Sequence, residues 1–335
     1  MSLLKADEKE LEALERAKWK NVAKTLVKDW RLYLLLVPML VFIILFKYMP
    51  IYGVLQGFKE YDSAESNIMK SDWQGISNLL QIFRGGTVVE QQFWTAFRNT
   101  FVNSMYGLLF GFPIPIILAL FFTEIKNGAI RSVVQVFTYL PKFMSTVVTA
   151  AIIIVWTGAE TNSGETFYEA GFVTKFCDSL GLVKDRTVNS LSVPRLFRPI
   201  YQISGIWEAA GYGSIVYFAA ALGVSPTNYE AAKVDGASKM QQIKYVTLPG
   251  MTSTLAIMLI LRIGKILSVG YEKIILLYKE ETYETADVIS SWVYRYKNDN
   301  TSMAVVAGLL ESIIAMVLVI GANTISKHVS KTSLF

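Results

Sequence analysis

The 335-residue chain holds one cysteine and one histidine. With Cys177 alone no intrachain disulfide can form. With His328 as its only imidazole, the chain can build neither a Cys/His metal centre nor a Cys–His catalytic pair. Charge is also scarce: 18% of residues are Asp, Glu, Lys or Arg, and they cluster between apolar runs. No G-x-x-x-x-G-K phosphate loop occurs, since Leu259 stands where the pattern ending in Gly264-Lys265 needs glycine. The Leu267-Ser268-Val269-Gly270 stretch lies in the same apolar run and is discounted as a nucleotide signature. Paired carboxylates in a soluble setting are missing, which argues against an enzyme. Asn300-Thr301-Ser302 is a glycosylation sequon by composition only. About thirty residues rich in charge precede the first apolar run, so no cleavable leader is expected.

What the chain has in abundance is apolar length. It is 53% hydrophobic with a mean hydropathy of +0.38, a profile of polytopic membrane proteins. Six segments, near 31–57, 97–122, 132–156, 199–224, 251–277 and 303–326, are long enough to cross a hydrocarbon core of roughly 30 Å as helices. The expected fold is therefore an all-α integral membrane protein with six transmembrane helices. Lys and Arg are denser in the N-terminal stretch, in the short connections carrying Lys126, Arg131, Lys233, Lys239 and Lys244, and in the tail with Lys327 and Lys331. The positive-inside rule then places both termini in the cytoplasm. The net charge of +5 reflects that topology and implies no nucleic-acid partner.

Residues 1–30 form a cytoplasmic segment in which Leu11, Leu14, Trp19, Val22, Leu26 and Trp30 make a broken apolar stripe. It reads as an interfacial helix on membrane lipid, against the plainer alternative of a charged tail. Pro38 and Pro50 are expected to kink or break the first span. Gly107, Gly111, Pro113, Pro115 and Pro141 read as close-packing and hinge positions of a helical bundle. The outer stretch 157–198 is a long polar loop with room for a small extracytoplasmic element. Residues 327–335 are a cytoplasmic tail.

The fifth span carries unusual charge. Arg262, Lys265, Val269 and Glu272 are spaced to share one helix face, with Arg262 roughly 16 Å into the membrane. A bare cation there costs on the order of 3 kcal/mol, so it needs a partner or a wet cavity. Glu208 in the fourth span and Glu311 in the sixth are the candidate partners. Two readings stand side by side: the charges line a substrate path that binds hydroxyls or carboxylates of a sugar, or they are buried ion pairs that hold the bundle together.

Between the fourth and fifth spans lies PTNYEAAKVDGASKMQQIKYVTLP, residues 226–249. Pro226 and Thr227 suit a helix start, with Thr227 as N-cap and Glu230 completing a capping box. Gly236 permits a sharp turn, and a second helix near 238–246 is expected to stop before Pro249. Glu230-Ala231-Ala232, then Gly236, then Val246-x-Leu248-Pro249 resembles the EAA loop of permease subunits in bacterial binding-protein-dependent ABC importers, with Val246 in place of the usual Ile. Glu208-Ala209-Ala210 repeats the triplet without the distal Leu-Pro and is treated as coincidence.

The stretches YLLLVPMLVFIILFKYMPIYGVLQGFKEY, LRIGKILSVGYEKIILLY and YETADVISSWVYR resemble the carbohydrate-uptake branch of these permeases, in its polysaccharide and lipoprotein-permease-like subfamily. The likeness covers roughly residues 28–326. It implies a six-span permease domain over 31–326 in a bacterial inner (plasma) membrane, a second permease subunit of a different chain, two cytoplasmic ATPases and an extracytoplasmic solute-binding protein. It implies further that Glu230, Ala231, Ala232, Asp235, Gly236, Leu248 and Pro249 form the ATPase-coupling element. No cofactor is expected in this chain, ATP and magnesium being bound by the partner ATPases, and the substrate is an oligosaccharide, with a lean towards an acidic one. An ion-driven secondary transporter is the alternative, which leaves the 226–249 loop without a purpose; a non-transporting membrane anchor for a sensor complex is a remoter one.

Overall fold

The computed structural model describes residues 27–60, 68–84, 86–163, 166–267 and 269–329. The expected interfacial helix lies outside them except for its last residues, as does the end of the tail. Two units are distinguished, Met1–Leu55 and Gln56–Phe335.

In the first unit, α1 (Trp30–Ile43) contains Pro38 and gives way to a π turn at Ile44–Tyr48 and then to a 3₁₀ stretch, Met49–Phe58, whose last residues belong to the second unit. The change of helix type falls beside Pro50, whose missing N–H cannot continue an α ladder. No residue of α1 is buried, and its exposed side chains are almost all apolar.

The second unit is built around one long helix. In chain order it holds α2 (Ser77–Phe83), α3 (Val88–Leu109), α4 (Pro113–Glu124), α5 (Gly128–Tyr139) and α6 (Thr146–Thr157). The hairpin β1 (Thr161–Ser163) and β2 (Thr166–Tyr168) follows, then α7 (Phe172–Ser179) and the central α8 (Pro194–Leu222). After these come α9 (Pro226–Val234), α10 (Lys239–Gln242), α11 (Thr252–Gly264) and α12 (Tyr271–Leu277). The chain closes with α13 (Tyr283–Ala286), α14 (Ile289–Tyr296) and α15 (Thr301–Val329), so residue 328 belongs to the last helix. Apart from this short hairpin the described elements are all helical, as expected of an all-α membrane protein.

Among the described residues, Trp30–Phe58, Val88–Glu124 and Thr301–Lys327 are long and apolar enough to cross a membrane. Two bent pairs, Gly128–Phe143 with Thr146–Thr157 and Lys239–Gly250 with Thr252–Gly264, qualify only if each counts as one span. The third expected span is thus broken, by 97°. Pro141 sits in a 3₁₀ turn, Leu140–Phe143, and Ser145 restarts the helix by accepting a hydrogen bond from the Val148 N–H. The fifth is broken at both ends: 67° separates it from the loop before it, and it stops at Gly264, with α12 beginning at Tyr271.

Small residues set how closely α8 is approached. A Cβ on Gly211 would lie 1.9 Å from the Thr138 carbonyl oxygen, so α5 and α8 meet backbone to backbone. α4 packs along α8 more extensively than any other pair of helices, with Ala119, Tyr217, Ala221, Val224 and Met251 buried between them and the start of α11. Phe93, Ala96, Trp292, Met303, Val306 and Ala307 pack α3, α14 and α15 together. The 157–198 stretch is folded rather than a bare loop: Cys177, Val183 and Leu196 form a small core, and the buried Thr174 hydroxyl donates to the Thr157 carbonyl.

Candidate functional site

Two places gather the residues singled out by sequence. The first is the connection 225–250. α9 begins at Pro226 with Ser225 at the cap position and no side-chain cap, so Thr227 and Glu230 make no capping box. Proline at N1 needs no partner for an absent N–H, and that alone suffices to start the helix. Gly236 has φ +76°, and a Cβ there would touch nothing within 4 Å; the demand is on the backbone alone. The capping box belongs to the second helix, where Ser238 accepts from the Gln241 N–H and Gln241 accepts from the Ser238 N–H. That helix does not stop before Pro249. It passes through a π turn, Ile243–Thr247, and continues over Leu248–Gly250, the π register being what accommodates a ring without an N–H.

The two arms of this connection are tied by Tyr229 Oη and Thr247 Oγ1 at 2.9 Å. Gln242 Nε2 donates to the Ala237 carbonyl at 2.9 Å. Lys239 pairs with Glu124 at the end of α4, 2.9 Å apart. Glu230, Ala231, Asp235, Gly236 and Pro249 are exposed, while Ala232 and Leu248 are half-buried. Val234, Met240 and Tyr245 are also exposed, at 88%, 71% and 66%. Sequence reading passed over these three, although large apolar side chains in a polar loop were the available signal.

The second place is a cavity of about 730 Å³ within the helices, lined by Asn103, Lys142, Tyr201, Gln202, Glu208, Arg262, Lys265, Glu272 and Lys273 among others. Arg262, Lys265 and Glu272 do reach one cavity, but not from one helix face. α11 ends at Gly264, Lys265 caps it, and Glu272 enters from α12. Neither expected carboxylate pairs with Arg262. Its guanidinium donates to the Gly107 carbonyl at 3.1 Å, one of the last carbonyls of α3 and so without an ordinary ladder partner. Gly111 makes room for it: a Cβ there would lie 3.0 Å from Arg262 Nη2. Gly107 and Gly111 thus seat a cation as well as shaping the bundle.

Glu208 instead pairs with Lys273 at 3.2 Å and faces Lys142 at 3.8 Å. Glu311 stands apart, in a second hollow with Gly264, Ser312, Ala315, Met316, Val319 and Ile320; it does not line the larger cavity. Asn103 is buried, and neither its amide nitrogen nor its side-chain oxygen has a hydrogen-bond partner. Gln202 Nε2 donates to the Asn103 backbone carbonyl at 2.8 Å. Lys142, Asn103 and Gln202 went unsingled in the sequence because nothing in their spacing relates α3, the bend after α5 and α8 to one another. Four cations against two carboxylates leave the wall positive, and no cluster of His, Cys, Asp and Glu among the described residues could hold a metal.

The 278–296 region is braced by a polar network. Asn99 donates to the Glu284 and Asp287 carbonyls at 3.0 and 2.9 Å and accepts from Arg198 Nη2 at 2.6 Å. Arg295 binds Asp287 through both of its terminal nitrogens, at 2.8 and 2.6 Å. Burial by itself would lower the Arg295 pKa, but the hydrogen bonds and charge of Asp287, helped by Tyr278, hold it above its ordinary value.

The chain is similar to several known proteins. The model of the family described as binding-protein-dependent transport system inner membrane component matches residues 111–331. Protein LplB of Bacillus subtilis is 33% identical over 96% of this chain and 93% of its own. The polygalacturonan/rhamnogalacturonan transport system permease protein YteP of the same organism is 30% identical over 96% and 95%. A solved bacterial ABC transporter involved in the import of the acidic polysaccharide alginate contains a chain 38% identical, with a TM-score of 0.79, over 92% of this chain and 99% of that one. The same likeness holds for the alginate transporter in complex with a periplasmic protein bound to alginate pentasaccharide.

Proposed function

Because the chain belongs to the family of binding-protein-dependent transport system inner membrane components, we propose that it is one permease subunit of an ATP-driven importer of oligosaccharides, acidic ones included. The observation that carries this reading is the positive cavity among α3, α8, α11 and α12. It is supported by relatives whose names concern polygalacturonan and alginate. Uronate residues carry one carboxylate each, and four cations in one water-accessible cavity suit such a ligand better than a neutral sugar.

On this reading the 225–250 connection is the contact with a cytoplasmic ATPase. Glu230, Ala231, Ala232, Asp235 and Gly236 sit on or beside its outer arm and Leu248 and Pro249 at its return. The tie from Lys239 to Glu124 and the Tyr229–Thr247 bond would carry its displacement into α4 and α11. An ATPase dimer that grips this element differently in its two nucleotide states can drive the bundle between conformations. On this reading six crossings complete the topology, with both termini cytoplasmic; the sixth is α8, which has the length, 29 residues, but is less apolar than the helices that qualify by composition. A second, different permease subunit and an extracytoplasmic binding protein complete the assembly.

The test is co-purification from detergent. Wild-type protein should bring down an ATPase subunit and a second permease, and a Glu230→Arg, Gly236→Arg double variant should lose the ATPase while remaining monodisperse. Folded wild-type protein that retains no ATPase would overturn the importer reading and make ion-gradient dependence the next measurement.

A further inference from the structure

The Lys142–Glu208–Lys273 cluster has a construction that a simple brace does not need. Glu208 projects from the middle of the unbroken helix α8, whereas both cations come from interrupted elements. Lys142 sits in the 3₁₀ turn at the 97° bend, and Lys273 lies in α12, just beyond the break that follows Gly264. The two carboxylate oxygens are divided between them, Oε2 on Lys273 at 3.2 Å and Oε1 towards Lys142 at 3.8 Å. Side-chain exposure falls from 45% at Lys142 to 17% at Glu208 and 11% at Lys273, so the cluster runs from open cavity into the wall. Tyr201 closes the inner end, its ring centroid 5.8 Å from the Lys273 ammonium.

A carboxylate held between two ammonium groups in a cavity wall is the arrangement a uronate carboxylate would adopt there. We propose that Glu208 is a resident counter-ion: its carboxylate occupies the Lys142–Lys273 seat while the cavity is empty and yields it to a carboxylate of the passing oligosaccharide. The proposal rests on the reading of this cavity as the substrate path. Its physical basis is exchange. An unpaired ammonium as secluded as that of Lys273 is costly, so an empty seat needs an anion of its own. Replacing one carboxylate by another conserves charge pairing, so the substrate need not desolvate two bare cations to bind. A resident carboxylate also lowers apparent affinity by the fraction of time it holds the seat, which favours release as well as entry. A neutral sugar cannot make the exchange and passes without disturbing the pair.

Equilibrium dialysis of the detergent-purified, nucleotide-free permease–ATPase complex, without binding protein, tests this with a uronate trisaccharide and its fully methyl-esterified, neutral form. Glu208→Gln should tighten binding of the uronate by about ten-fold, as expected if the seat is self-occupied some nine-tenths of the time, and leave the ester unchanged. Lys273→Gln should weaken the uronate alone, and Glu208→Asp should stay near wild type. A Glu208→Gln variant that weakens the uronate, leaves it unchanged, or shifts both sugars equally overturns the proposal and leaves Glu208 a structural brace. If that variant does not yield a monodisperse complex, unchanged uronate binding by Lys273→Gln overturns the proposal instead. Wild-type complex that binds neither sugar overturns the reading of the cavity as the path, a result distinct from all of these.

Discussion

At the scale of single residues, glycine and charge carry the argument. Gly236 is required for its φ of +76°, with open space around it. Gly236→Asn should therefore be tolerated, since Asn enters the left-handed region readily. Gly236→Val should cost about 1–2 kcal/mol locally. Gly236→Pro, whose ring forbids positive φ, should insert into the membrane normally yet abolish ATP-driven uptake in vesicles; normal uptake by that variant would refute the coupling role. Gly111 is required for the opposite reason, space. Gly111→Ala would press on the Gly107 carbonyl and on Arg262 Nη2, 2.5 and 3.0 Å from the new Cβ. Lowered uptake with undiminished ATPase co-purification is expected, because the change touches the cavity and not the 225–250 connection.

At the scale of elements, the breaks matter more than the helices. α5 and α6 are separated by a 97° bend, and α11 stops at Gly264. These interruptions deliver Lys142, Lys265, Glu272 and Lys273 to one cavity from ends and turns, where backbone groups are free to face water. α8 provides the opposing, uninterrupted wall, and its fit depends on Gly211 against Thr138. Gly211→Ala is expected to destabilise at or above the upper end of the ~1–3 kcal/mol typical of overpacking, read as a lowered thermal midpoint in detergent. An unchanged midpoint would show that α5 and α8 are free to separate.

At the scale of the whole molecule, the second unit is clamped by a polar network around 278–296 and tethered by polar bonds at the 225–250 connection. Asn99, Arg198, Asp287 and Arg295 tie the 278–296 region to α3 and α8. Asp287 is 5% exposed and also accepts from Ser291 at 2.6 Å. Asp287→Ala takes the carboxylate from the half-buried Arg295 and leaves it only its aromatic neighbours, a loss of up to about 3 kcal/mol, the low end for a broken buried pair. The expected result is protease sensitivity near 278–300 in right-side-out vesicles, with the 225–250 connection still able to retain an ATPase.

Several features of this protein were determined by local sequence alone. Apolar length announced membrane helices, the glycine at 236 announced the turn, and the spacing from Glu230 to Pro249 announced the family. Each of these depends on residues near one another in the chain, where the period of a helix or the φ demand of one turn is enough. Tertiary structure decided the rest. That Arg262 meets a glycine carbonyl rather than Glu208 or Glu311 depends on the α3 end being placed beside α11. That Glu208 meets Lys142 and Lys273 depends on two helix breaks whose angles no spacing encodes. Ion pairs across a cavity join residues distant in sequence, and their choice follows from which backbones can approach. In this chain Gly107, Gly111 and Gly211 govern that approach, by what they leave out.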